Sequence, residues 1–196
     1  LTFHAPSLLQ RCSWMTYGHV QAASLNLFVY GFAIQAGLGV LLWLVGRLGR
    51  TTLVWRELAI MGMAAWNFGV LVGLVGILAG NNTGFEWLEM PRAANGILFV
   101  AYAFIGLSAV LTFHARREAQ LYVSQWFILA ALFWFPWIFS TAVALLQCAP
   151  VRGTMQAVVH LWYANNLTVI WLGFVGLAII FYFLPKLTGR PLYSSY

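Results

Sequence analysis

Charge is what this chain has least of: only 7% of its 196 residues are charged, against roughly 25% in a soluble domain. Aspartate is absent, and the four acidic residues are Glu57, Glu86, Glu89 and Glu118. Without Asp there is no Ser-His-Asp triad. No Walker loop or G-x-G-x-x-G turn opens a helix after a strand, and no C-x-x-C occurs. These absences argue against a hydrolase or a nucleotide enzyme. The net charge of +6 and pI of about 9.8 do not indicate nucleic acid, because the ten basic residues stand scattered between apolar runs and read as topology signals.

Apolar sequence fills the space that charge leaves. Hydrophobic residues make up 62% and aromatics 17%, with ten Trp. The stretch His160 to Pro185, HLWYANNLTVIWLGFVGLAIIFYFLP, has more than twenty residues and no charge. At a rise of about 1.5 Å per residue it crosses a hydrocarbon core of roughly 30 Å. Its first turns carry Trp162, Tyr163, Asn165 and Asn166, and amides at this depth are expected to face other helices rather than lipid.

The same reasoning predicts about five spans, near residues 20–45, 58–79, 93–113, 123–146 and 160–185, in one membrane domain covering 1–196. Residues 1–18 are too mixed to span, lack the layout of a signal peptide and read as an interfacial lead-in. Pro136 falls inside the fourth span, where it frees a carbonyl that a neighbouring helix must satisfy. The fold class is therefore all-α, a polytopic membrane helix bundle. Arg47, Arg50, Arg56, Arg116, Arg117, Lys186 and Arg190 share one side, opposite Arg11, Arg92 and Arg152. The positive-inside rule places the start of the chain outside and its end in the cytoplasm.

Several motifs carry a resemblance. LWYANN, then an apolar run ending IIFYFLPKLTGRPLYSSY, resembles the sixth transmembrane helix of subunit I of the C-type (cbb3) heme-copper oxidases, where W-Y-G-H-N precedes an apolar run, Y-F-V-P-K and R-P-x-Y-S. WMTYGHVQAASLNLFVYGF resembles the family's L-T-F-G-R-x-R-P-x-H-x-N-A-x-x-F-A-F at its second helix. EWLEMPR before LFVAYAF resembles E-x-L-E-W-P before V-A-Y-A, and LYVSQWF resembles I-Y-V-A-N-W-F. The motifs keep the family's order and cover its second to sixth helices of about a dozen. The first residue, Leu1, and the stop at Tyr196 suggest a segment of a longer polypeptide.

The resemblance implies two metal-ligand positions, and neither holds histidine. Where the family's second helix ligates the low-spin heme stands Ser24, and at the copper position stands Asn165. Serine is not a usual heme ligand, and an amide oxygen suits copper far less well than imidazole. His19 and His160 each precede these positions by five residues, which is not the same-face spacing of three or four. They are candidates to clamp a heme or a quinone head group, or else interfacial hydrogen-bonding residues. Glu86 and Glu89 match the family's E-x-x-E near heme propionates and a bound calcium, so they form a candidate ion loop, or else solvate an external loop. Cys12 and Cys148 both fall on the outer face and either form a disulfide or remain free thiols. Gln35 and Asn67 are expected to tie helices together, and Gly69, Gly73, Gly76 and Gly80 to allow close packing.

The expected role is a non-catalytic structural subunit of a respiratory or electron-transfer complex, with other membrane subunits and lipid as partners and no nucleic acid. Two alternatives remain. One is a segment of an active terminal oxidase or nitric oxide reductase, and the other a heme b electron-transfer subunit using His19 and His160. Apart from such a heme, no cofactor is expected.

Overall fold

The computed structural model describes residues 12–190, so Arg11, most of the lead-in and the closing residues 191–196 lie outside the described residues. Among the described residues five helices are long and apolar enough to cross a membrane: α1 Tyr17–Gly49, α2 Arg56–Leu78, α3 Arg92–His114, α4 Val123–Cys148 and α5 Thr154–Thr188. No strand occurs among the described residues. The chain is an all-α membrane bundle.

Local chemistry sets the helix ends. Arg50, at φ 48°, closes α1 in the left-handed region, and α2 follows Trp55, at φ 51°. Glu57 lies in the first turn of α2, where a negative charge complements the helix dipole. Pro91 precedes α3 with extended ψ. Gln125 Oε1 accepts the Tyr122 N–H at 2.9 Å and caps α4. Helix bounds differ from the predicted spans: α5 starts at Thr154 rather than His160, α1 at Tyr17 rather than 20, and α2 ends at Leu78 rather than 79. The added turns, such as TMQAVV, are mixed in polarity, so hydropathy alone does not extend the span through them.

The core is aromatic. Trp66, Tyr30, Tyr102, Phe135, Phe139 and Trp171 are fully buried, with Tyr102 stacked on Phe135 at 4.6 Å and Phe135 on Phe139 at 5.3 Å between centroids. Pro136 cannot donate to Leu132 O, and the Tyr102 hydroxyl of α3 donates to that carbonyl at 3.2 Å. The Trp171 indole N–H of α5 donates to the neighbouring Ala131 O at 3.1 Å. The Tyr102 hydroxyl thus supplies the donor that Pro136 lacks, and Trp171 adds a second inter-helix bond beside it.

Glycine fixes the approach of α2 to α3. A Cβ at Gly62 would lie 2.7 Å from Ile105 Cγ1, and one at Gly76 would lie 2.6 Å from Pro91 Cγ. Gly69 and Gly73 face the same side, toward Leu98 and Met90. Gly80 differs: its φ of +83° makes it the left-handed turn after α2, so its role is conformational rather than one of close packing.

In three helices the hydrogen-bond ladder widens to π-helical form, over Leu27–Ala33 in α1, Ala144–Cys148 in α4 and Asn166–Trp171 in α5. Such widening lets a carbonyl take a partner from outside its helix. The Trp66 indole N–H of α2 donates to Tyr30 O, inside the α1 segment, at 2.8 Å.

Candidate functional site

One set of buried polar groups converges where the loop of residues 79–91 joins α2 to α3. Thr83 folds the loop on itself, its hydroxyl donating to Leu88 O at 2.7 Å and its N–H to Glu89 O at 3.1 Å. Four helices then hold the loop down. From α4, Gln147 Nε2 donates to Leu88 O at 3.2 Å and Met90 O at 3.3 Å. From α3, Asn95 Nδ2 donates to Met90 O at 3.1 Å and to Gln147 Oε1 at 3.0 Å, and Arg92 donates to Gln147 O. From α1, Asn26 Nδ2 donates to the Glu89 carboxylate and the Tyr30 hydroxyl to Trp87 O at 2.7 Å. From α5, the Tyr163 hydroxyl meets that of Tyr30 at 2.6 Å, and His160 Nε2 lies 2.9 Å from Glu86 O.

Glu89 is the centre of this network. It is buried and also accepts the Trp87 N–H at 3.1 Å. Burial pushes its pKa above the ordinary carboxylate range; the Asn26 and Trp87 donors, which favour the ionised form, oppose the shift. Trp87 itself sits at φ 65°, a left-handed conformation that costs about 1–3 kcal/mol for a non-glycine residue. Its carbonyl and its N–H are both engaged, which holds it there.

The two glutamates of the candidate ion loop therefore do different things. Glu89 turns inward onto Asn26, while the side chain of Glu86 is exposed. Among the described residues no group of three or more His, Cys or acidic side chains is placed to hold a metal ion. His19 and His160 reach the same loop at different points. A Cβ at Gly80 would lie 3.7 Å from the His19 ring, whereas the His160 ring packs on Phe85 with centroids 5.8 Å apart. Cys12 and Cys148 are both exposed free thiols.

The resemblance-derived metal positions face outward. Ser24 is exposed and its hydroxyl donates to Gln21 O of its own helix at 2.8 Å. Asn165 is exposed as well. The expectation that Asn165 faces a neighbouring helix is thus corrected: Asn166 does so, accepting the Trp134 indole N–H at 3.1 Å and donating to Trp162 O at 2.8 Å. Neighbouring residues of a helix point about 100° apart, so the two amides cannot share one face. Gln35 and Asn67 do tie α1 to α2, through Gln35 Nε2 and Asn67 Oδ1 at 3.2 Å.

The family model for "Cytochrome C and Quinol oxidase polypeptide I" matches residues 1–196. The chain belongs to this oxidase subunit I family. Among its relatives, "Cbb3-type cytochrome c oxidase subunit CcoN1" of Stutzerimonas stutzeri is 27% identical over 200 residues, covering 92% of this chain and 40% of the relative. "Cytochrome c oxidase subunit 1 homolog, bacteroid" of Bradyrhizobium diazoefficiens is 24% identical over 208 residues, covering 96% of this chain and 36% of that protein. "Cytochrome c oxidase subunit 1" of Rhodobacter capsulatus is 25% identical over 215 residues, covering 99% and 38%. The chain therefore spans between a third and two fifths of the length of these curated relatives.

Within this oxidase subunit I-like chain, the donor sets at Ser24 and Asn165 do not fit the heme and copper that the C-type resemblance implies there, since neither offers imidazole or thiolate. Sequence reasoning missed Asn26, Asn95 and Gln147. Asn26 had a signal, because it fills the N of the family's H-x-N pattern two residues after Ser24. Asn95 and Gln147 had none beyond being polar near the ends of apolar runs.

Proposed function

We propose that the chain is a non-catalytic, structural subunit I-like component of a membrane-embedded respiratory or electron-transfer complex. One observation carries the reading: the two C-type ligand positions within its span hold Ser24 and Asn165, which are poor ligands and point away from each helix's packed face. The polar groups at the loop end support it, because they are engaged in fastening the loop. His160, one half of the candidate heme clamp, is bound to a loop carbonyl. Partner subunits of the same complex and lipid would cover the large exposed side chains such as Phe28, Phe32, Phe133 and Leu161. On this reading a single membrane domain lies in a bacterial inner membrane with the loop end outside and the Arg-rich end in the cytoplasm, an orientation that the distribution of basic residues supports.

A pyridine hemochrome spectrum of the purified chain tests the role. No heme signal is expected. A stoichiometric heme b lost in His19→Ala or His160→Ala would establish the electron-transfer alternative. Heme retained in those variants would instead favour a segment of a working oxidase or nitric oxide reductase.

A further inference from the structure

The Arg-rich end differs from the loop end in being open. A cavity of about 650 Å³ lies between the last turns of α1, the first turn of α4 and the last turns of α5. Three cations, Arg47, Arg50 and Lys186, stand on it, and Val123, Phe181 and Pro185 give it an apolar wall. A second bay of about 600 Å³ shares Arg47 and Arg50 and adds Thr51, Thr52 and Arg117. Among the described residues the ion pair at this cleft joins Glu118 to Arg50, 3.3 Å from its Nε, so Glu118 offsets part of this charge. Lys186 is held at the mouth, donating to the Tyr182 hydroxyl with its Nζ 3.9 Å from that ring's centroid. Trp43 packs edge-on against Tyr182 at 5.2 Å and stacks on Phe183 at 6.1 Å, an aromatic arrangement suited to the level of the lipid head groups.

We propose that this cleft binds an anionic glycerophospholipid, with the head-group phosphate among Arg47, Arg50 and Lys186 and an acyl chain along Val123, Phe181 and Pro185. The shared chemistry of any ligand here is a phosphate-type anion, since guanidinium forks and an ammonium match its oxygens. The apolar wall distinguishes a lipid from a free ion: inorganic phosphate would leave that wall in contact with water, whereas a lipid covers it. A zwitterionic choline lipid would bring its own cation against three others. Basic clefts between helices at a membrane surface are the expected place for anionic head groups. The binding chemistry does not depend on which face is cytoplasmic.

The test is lipid retention by the intact chain, purified in neutral detergent and supplied with equal phosphatidylglycerol and phosphatidylcholine. Bound lipid is read by mass spectrometry and protection by Tm. We expect selective retention of phosphatidylglycerol and a Tm rise with it alone, with no rise from millimolar inorganic phosphate. In the double variant R47Q/K186Q retention should fall roughly tenfold or more, while R56Q, a charge loss on the same side that does not line the cleft, should leave it unchanged. Val123→Trp keeps every charge and fills the apolar wall. It should also abolish selective retention, and it decides the matter if the double variant does not fold. Equal retention of both lipids, equal loss in R56Q, or undiminished retention in Val123→Trp would overturn the proposal. Protection by inorganic phosphate equal to that by the lipid would identify a free-anion site instead and overturn the lipid assignment.

Discussion

The two ends of the bundle differ in where their charged residues stand, although buried hydrogen bonds occur at both: at the Arg-rich end Ser108 and Thr112 bond Val54 of the 50–55 loop. At the loop end, Asn26, Glu89, Asn95 and Gln147 are buried and bonded to one another or to loop carbonyls. At the Arg-rich end, Arg47, Arg50 and Lys186 are exposed around open cavities. The buried donors of the loop end have partners, although Asn26 Oδ1 and Asn95 Oδ1 have none among the described residues. Such pairing fixes one geometry, because rearrangement would leave further donors unpaired. Exposed cations without a matching set of carboxylates favour an anion from outside. The contrast separates a structural cap from a surface available to a ligand.

The largest effect should come from breaking the cap at its most connected residue. Gln147→Ala leaves Leu88 O, Met90 O and Asn95 Nδ2 without that partner, and should lower stability by about 3 kcal/mol, read by chemical or thermal unfolding in detergent. Amide hydrogen exchange should rise across 79–91 and not at the Arg-rich end. A rise at both ends would show that the two are not independent.

Next in size is the pair of adjacent amides. Asn166→Ala removes the partner of the half-buried Trp134 indole N–H and should cost about 1–2 kcal/mol. Asn165→Ala, on the exposed side, should change stability by less than about 0.5 kcal/mol. Equal losses would contradict the helix orientation described above.

Glu89 sharpens the contrast through pH. Its folded pKa is raised, so the folded chain holds the proton more tightly than the unfolded one. The resulting stability is fully present below the ordinary carboxylate range and is lost as pH rises through the raised folded value. Glu89→Gln keeps an oxygen acceptor and does not titrate. Across that window the wild type should lose stability relative to the variant, and a parallel pH series for the two would refute the assignment. The smallest effect is expected at the open end, where Arg50→Gln removes an exposed ion pair with Glu118 and should cost no more than about 1 kcal/mol in lipid-free detergent.

Much of the fold was legible because a membrane span is a property of composition: an uncharged apolar run of sufficient length has few other places to lie. The need at Pro136 was legible too, since a missing N–H always leaves the same carbonyl, although nothing in the sequence named Tyr102 as its donor. The cap was mostly hidden. Asn26 and Glu89 are separated by 63 positions, and one sequence does not show which helices bring them together. The choice between Asn165 and Asn166 depended on helix rotation, which the π-helical segment starting at Asn166 also alters. The open cleft was hidden in the same way, although its cations are legible in the sequence as topology signals. A residue can set orientation during insertion and bind a ligand afterwards.

The most direct measurement of the central claim is the iron and copper content of the chain isolated with its native partners from membranes, counted per polypeptide and compared with Ser24→Ala and Asn165→Ala. The account predicts that neither substitution changes either metal. Loss of about one iron per chain in Ser24→Ala, or of about one copper in Asn165→Ala, would show that these positions do ligate and would contradict the non-catalytic reading.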